Sequence, residues 1–235
     1  MIAGAFFTGL GYLVGAVVLW WAASQKRLAT KGIGWVAFSG FAAGIAGAKL
    51  TQLVAEGWPL RLPAAAALDP RSGGRALLGG LIFGWIGVEV SKRRLGIRRS
   101  TGDLFALALP AGEAVGRIGC FFNGCCYGEK CDLPWAVYQH GAWRHPAQLY
   151  SAVTAAGLFG GLLWARRHVK REGDLFLLYL FGFGLTRFLL EFVRWRETLF
   201  FGLSPMQWFC LELIVGSVVG WAIKSRRAAE PVEAS

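Results

Sequence analysis

The sequence predicts an all-α, polytopic membrane protein with seven transmembrane helices, N-terminus outside and C-terminus in the cytoplasm. Three observations carry this expectation. Of 235 residues, 55% are hydrophobic and only 17% are charged, too few charges to cover one soluble core of that length. The apolar residues come in blocks, several approaching the ~20 residues an α-helix needs to cross a bilayer. The blocks do not alternate in polarity, as the strands of a closed membrane barrel would.

Each block has its own signature. The first runs from Phe6 to Ala23, too long for a signal-peptide core and without a polar segment before it, so it is expected to be retained as a span. The second, Ile33 to Ala55, and third, Ala76 to Val90, carry glycines four apart, Gly40/Gly44 and Gly80/Gly84, and Gly11/Gly15 repeat the spacing in the first. Small residues at this interval let helix backbones approach closely in lipid. The fourth block is Asp103 to Phe122 and the fifth Ala147 to Trp164, with Pro146 at its start. The sixth is Leu175 to Phe192 and the seventh Met206 to Ile223. Residues 1–224 thus read as one membrane domain and 225–235 as a short cytoplasmic tail.

The formal net charge is +11. It does not point to nucleic acid, because the basic residues cluster between apolar blocks as they do in cytoplasmic membrane loops. Loops 1, 3 and 5 and the tail hold fifteen Lys and Arg, against seven in loops 2, 4 and 6. The positive-inside bias therefore sets the orientation. It places the loop after the fourth span on the outer face.

Lys49, Arg117 and Arg187 fall inside spans. A charge at mid-bilayer costs at least ~2.5–3.5 kcal/mol, so such residues face an interior and have a purpose. Glu113 and Arg117 stand at i, i+4; Arg187, Glu191 and Arg194 at i, i+4, i+7. Each set is expected on one helix face. Three arginines against two glutamates leave positive charge in excess. The planar fork of arginine suits phosphate, and the abundant anion of a bilayer is the phospholipid headgroup. A site gripping a lipid phosphate follows from these residues alone. A purely structural pair of buried salt bridges is the competing reading, and such pairs stabilise little.

Other polar residues gather nearby. Asn123, Tyr127 and Gly128 follow Arg117; Arg144, His145, Gln148 and Tyr150 open the fifth span. Gly79 and Gly80 end "SGGRALLGG", a segment whose backbone amides suit a phosphate. Four of the five cysteines, Cys120, Cys125, Cys126 and Cys131, fall within a dozen residues. Their spacing is not that of a standard zinc site. Packing in a tight turn, a disulfide and a metal or iron–sulfur site all remain open for them. Cys210, alone in the last block, reads as a small buried hydrophobe.

Together "GRIGCFFNGCCYG", "RHPAQLY", "GFGLTRFLLEFVR" and "GLSPMQ" resemble, in order and spacing, the prolipoprotein diacylglyceryl transferase family. "SGGRALLGGLI" and "GDLFALALPAGEAVGR" resemble the segments preceding that family's signature, and the resemblance runs from about Gly9 to Val219. It implies a seven-helix enzyme of the bacterial inner membrane, working without a cofactor. Its partners would be phosphatidylglycerol, the lipid bilayer and prolipoprotein signal peptides. The enzyme would move the diacylglyceryl group onto the signal-peptide cysteine and release glycerol phosphate. By the same resemblance Arg117, Arg187 and Glu191 are catalytic. Asn123, Tyr127, Gly128, Arg194, His145, Gln148, Gly79 and Gly80 would contact substrate, and no metal is implied.

The chain departs from the family pattern at several polar positions. Leu78 stands where a proton-handling histidine is expected, Thr8 and Phe183 where tyrosines are, and Ser151 where a glutamate is. Cys120 and Cys125 replace the signature's first asparagine and its glutamate. Two further functions therefore stay in view: a relative that binds anionic lipid without catalysing transfer, and a thiol-based redox or metal protein.

Overall fold

In lipid, backbone polar groups must bond within their own segment, and helices do this most simply. The computed structural model describes residues 2–25, 32–55, 77–97, 100–195 and 200–229. Seven α-helices occupy the described residues: α1 (Ile2–Gln25), α2 (Ile33–Ala55), α3 (Leu77–Arg94), α4 (Gly102–Phe122), α5 (Ala147–Ala165), α6 (Asp174–Leu190) and α7 (Pro205–Ala229). Each coincides with a predicted block, usually a residue or more longer. Residues 72–76, the loop cations Lys26, Arg27, Lys31, Arg61, Arg71, Arg75, Arg98, Arg99 and Arg196, and residues 230–235 lie outside the described residues, as does the side chain of Leu78.

Among the described residues, five stretches are long and apolar enough to cross a membrane: α1, Ile33–Thr51, α4, Asp174–Val193 and Pro205–Arg226. The chain is a mostly helical, multi-pass membrane protein. Charge at the end of α3 (Glu89 and Lys92–Arg94) and polar side chains at the start of α5 (Gln148, Tyr150, Ser151, Thr154) dilute those two helices. Burial is inverted relative to a soluble fold: Trp20, Trp35, Trp85, Trp164 and Trp221 are all more than half exposed, as side chains facing hydrocarbon are.

Two observations correct the sequence-based expectation. A small antiparallel hairpin, β1 (Val137–Gln139) with β2 (Ala142–Arg144), sits between α4 and α5, pairing Val137 with Arg144 and Tyr138 with Trp143. Its two-residue tip, His140–Gly141, has φ of 50° and 73°, the double left-handed turn whose twist matches flanking strands. The sixth span, expected to continue helical past Arg187, tightens into a 3₁₀ turn at Glu191–Val193, and Arg194 is extended (φ −90°, ψ 147°). Arg194 therefore does not share a helical face with Arg187.

The chain forms two compact units, one of Met1–Ala22 with Ser100–Ser235, the other Ala23–Arg99. In the second, α2 and α3 meet along glycines. A methyl on Gly44 would lie 3.2 Å from the Gly80 carbonyl oxygen, and one on Gly79 would lie 2.7 Å from that of Gly47. In the first, α1 meets α4 the same way: a methyl on Gly112 would lie 2.9 Å from the Gly11 carbonyl oxygen, and one on Gly119 2.8 Å from that of Gly4. The predicted small-residue spacing is thus a pair of backbone-to-backbone seams.

Within the first unit α4 packs on α5 and α6, and α6 on α7. The buried Asp103 accepts the backbone N–H groups of Gly173 (3.0 Å) and Phe176 (3.2 Å), so a carboxylate of α4 caps the start of α6. Lys224 of α7 bonds the Glu172 carbonyl (2.7 Å) and pairs with Asp174. At the opposite end of α6, Ser204 and Gln207 cap α7 reciprocally: Ser204 N–H donates to Gln207 Oε1 (2.9 Å) and Gln207 N–H to Ser204 Oγ (3.2 Å). Pro205 occupies the first helical position.

Gly112→Val forces α1 and α4 apart and should destabilise the protein by about 1–3 kcal/mol. Thermal unfolding in detergent should show a lowered midpoint, whereas Gly160→Ala, where nothing beyond its own helix backbone lies within 4 Å of the new methyl, should not lower it and should raise it slightly by helix propensity.

Candidate functional site

The fourth span brings Glu113 and Arg117 together as their spacing requires: Arg117 Nε and Nη2 donate to Glu113 Oε1 at 3.0 and 2.7 Å. On α6, Arg187 Nη2 reaches Glu191 Oε2 at 2.9 Å, with both side chains nearly buried. Arg194, although beyond the helix, turns back so that its Nε lies 3.8 Å from the same oxygen. Ser204 Oγ donates to Glu191 Oε1 at 3.2 Å. One carboxylate thus joins the end of α6, the strand-like segment after it and the cap of α7.

The three guanidinium groups belong to one electrostatic neighbourhood. Arg117 and Arg194 both act on Arg187. A cleft between α4, α5 and α6 is lined by Glu113, Ser151, Thr154, Phe183, Thr186 and Arg187. Three arginines and two glutamates belong to this neighbourhood, and the Cys126 thiol meets the charges of Arg194 and Arg117 as well. Moreover, Arg187 Nη1 is buried with no hydrogen-bond partner. A buried, unmade bond of a charged donor is costly.

The loop after α4 is held in one shape by bonds from all sides. Gly128 N–H donates to the His145 carbonyl (3.2 Å), Glu129 N–H to Val193 (3.0 Å), His145 N–H to Glu129 (3.0 Å) and Trp195 N–H to Tyr127 (3.4 Å). Gly128 lies between two backbones: a methyl there would stand 2.5 Å from the His145 oxygen and 2.7 Å from that of Val193. Arg144 is buried, donating to the carbonyls of Gly128 (3.2 Å) and Gln139 (3.1 Å) with its guanidinium over the Tyr127 ring at 4.7 Å. Gln148 Nε2 donates to the Cys125 carbonyl (2.8 Å) and to Gln139 Oε1 (3.1 Å). His145 Nδ1 lies 3.5 Å from the Tyr150 hydroxyl.

Of the expected site residues, Arg117, Arg187, Glu191 and Arg194 are gathered together, and Gly128 pairs directly with Arg194. Tyr127, His145 and Gln148 are engaged in the loop that rests on them. Asn123 caps α4 and lies against Gly4 of α1. Gly79 and Gly80 belong to the other unit, in the first turn of α3 facing α2. Asp103, Ser204 and Gln207 were given no role from the sequence. The Ser-x-x-Gln spacing with Pro205 inside it was the available signal for the last two.

The cysteines converge. The sulfurs of Cys120, Cys125 and Cys126 all lie within 4.8 Å of one another; Cys131 is not among them. Gly124 and Cys126, at φ 65° and 61°, turn the chain back over the end of α4. All five cysteines are free. The Cys126 thiol is held well below its usual range by a hydrogen bond from Cys120 and by the charges of Arg194 and Arg117, against burial. Burial first, and then the Cys126 charge, push Cys125 up.

A family model described as prolipoprotein diacylglyceryl transferase matches residues 5–223 of this chain. The chain belongs to the prolipoprotein diacylglyceryl transferase family. A phosphatidylglycerol–prolipoprotein diacylglyceryl transferase of Bordetella avium (strain 197N) is 34% identical over 167 residues, which is 67% of this chain and 63% of that protein. Proteins of the same name from Paracidovorax citrulli (strain AAC00-1) and Clostridioides difficile (strain 630) are 37% and 30% identical, over 54% and 67% of this chain and 51% and 64% of their own length. The chain thus spans less than two thirds of these relatives.

A thiol reacts as its thiolate, and an ordinary thiol of pKa ~8.5 is only about 1% ionised near pH 6.5. With its pKa lowered by Cys120, Arg194 and Arg117, Cys126 should be alkylated by iodoacetamide in metal-free protein about tenfold or more faster than Cys131 at that pH. The difference should shrink as pH rises toward 9. Peptide mapping after timed alkylation reads both rates, and equal rates at pH 6.5 contradict the assignment.

Proposed function

We propose that this protein transfers the diacylglyceryl group of phosphatidylglycerol to the thiol of a lipoprotein signal-peptide cysteine, at the bacterial inner membrane, releasing glycerol phosphate. The observation carrying this reading is the buried, partnerless Nη1 of Arg187, on a side chain that lines a cleft beside Glu113, Ser151, Thr154 and Thr186. Membership of the family and the names of its relatives agree with it.

In the reaction the acceptor thiolate attacks C3 of the lipid glycerol. The new S–C bond forms as the C–O bond to phosphate breaks, the electron pair leaves with the phosphate oxygen, and the thiol's proton passes to water. Arg187 and Arg117 hold the phosphate and stabilise the charge that grows on it. Glu191 keeps Arg187 and Arg194 oriented, while Asn123, Tyr127, Gly128, His145, Gln148 and Arg194 shape the headgroup's surroundings. Leu78 offers no proton acceptor. The same arginines therefore favour ionisation of the incoming thiol, and a dedicated base matters less. The topology that suits this work has seven spans, with the N-terminus and the cysteine loop outside and the segment from residue 225 in the cytoplasm.

Purified protein given phosphatidylglycerol and a lipobox peptide should yield the thioether product and glycerol phosphate. Arg187→Ala and Arg117→Ala should each lower the rate about 10²–10³-fold, and Arg187→Lys should not restore it, since an ammonium lacks the planar fork. Transfer within a few-fold of wild type in Arg187→Ala would remove the phosphate grip. Orientation is read separately: a reporter fused after Ala229 should be active only as a cytoplasmic fusion, and Cys131 should react with an impermeant maleimide added from outside.

A further inference from the structure

The cysteine trio has no part in the transfer reaction, and the family pattern has other residues at two of its positions. Three sulfurs bound in a plane, each ~2.3 Å from a central ion, stand about 4 Å apart. Those of Cys120, Cys125 and Cys126 all lie within 4.8 Å of one another, so small side-chain adjustments close the triangle around an ion. No histidine, carboxylate or fourth cysteine joins the group among the described residues.

The frame is preset. Cys126 adopts a left-handed backbone, φ 61°, that a non-glycine residue takes only at some cost. The Cys125 carbonyl is held by Gln148 Nε2 (2.8 Å), the Gly124 carbonyl by His140 Nε2 (2.6 Å), and Cys125 N–H by the Cys120 carbonyl (3.1 Å). The loop carrying two of the sulfurs is thus tied to the hairpin and to α5 as well as to α4.

Charge and softness choose the ion. Three thiolates around a monovalent cation carry two net negative charges, and the cations of Arg194 and Arg117 act on this cluster directly. An all-sulfur, three-donor set without a hard ligand suits a soft monovalent d¹⁰ ion better than Zn²⁺, which closes structural sites with four donors. We propose that Cys120, Cys125 and Cys126 form a trigonal thiolate site for Cu(I). Binding makes three Cu–S bonds and releases the thiol protons to water; no electron is transferred. The site shares Arg117 and Arg194 with the proposed phosphate grip, but Cu(I) uptake is measured without lipid or peptide, so its failure is distinguishable from a failure of transfer.

The test is anaerobic titration of the reduced, detergent-solubilised full chain with Cu(I). The expected result is one ion per chain, a thiolate-to-copper charge-transfer band in the ultraviolet, and three sulfur neighbours by X-ray absorption. Cys125→Ser and Cys126→Ser should each weaken binding by at least the roughly 10–100-fold that loss of an outer-shell partner costs, while Cys131→Ser and Cys210→Ser leave it unchanged. Circular dichroism of each variant separates lost ligation from lost folding. Two uptake results overturn the proposal: reduced wild-type protein that takes up no Cu(I), or undiminished uptake by a folded Cys126→Ser. Mass spectrometry showing a Cys120–Cys126 disulfide that survives reductant and blocks uptake would do so equally.

Discussion

Glu191 is the residue around which the first unit is organised. Its two oxygens meet Arg187, Arg194 and Ser204, and so join the end of α6, the turn after it and the start of α7. In a low-dielectric interior a lone cation is far more costly than a paired one. Removing this carboxylate would leave two guanidinium groups nearly buried and unopposed. Even so, one nitrogen of the cluster, Arg187 Nη1, is buried with nothing to bond.

Around that anchor the signature loop behaves as a joint. Gly128 is pressed between the backbones of His145 and Val193, where any side chain would separate the loop from Arg194. Arg144 and the Gln148 Nε2 group donate to carbonyls of the same loop, and the Arg144 guanidinium lies over the Tyr127 ring. Their contribution to the arginines is indirect: they determine where the chain lies after α4, and hence where the cysteines and Arg194 stand.

Much of this was legible in the sequence where the governing rule is periodic. Block length revealed the helices because hydrocarbon thickness fixes how many apolar residues are needed. Glu113 and Arg117 paired because i, i+4 is a property of the helix itself. Gly11, Gly44 and Gly80 could be read because a seam between helices requires small residues at every turn. Sequence reading failed where the backbone leaves the period. Nothing in the spacing of Arg187, Glu191 and Arg194 shows that the helix tightens at Glu191, and the salt bridge to Arg194 forms through a bend. The hairpin was missed because its strands are three residues each, although His140–Gly141 was a turn signal. Three cysteines converge and the fourth does not, because the left-handed residues at 124 and 126 reverse the chain between them.

The cap that Asp103 places on α6 also acts as a ruler. Fourteen residues separate Asp103 from Arg117, and fourteen separate Gly173, which bonds Asp103, from Arg187. At about 1.5 Å per residue, both guanidinium-bearing positions stand about 21 Å above a common footing on two helices that start side by side. Their equal depth is therefore measured out from the far end of the bundle. A single inserted residue in either helix would lift one arginine by about 1.5 Å and swing it by roughly 100°. The spacing between footing and arginine should tolerate changes of residue type far better than changes of length.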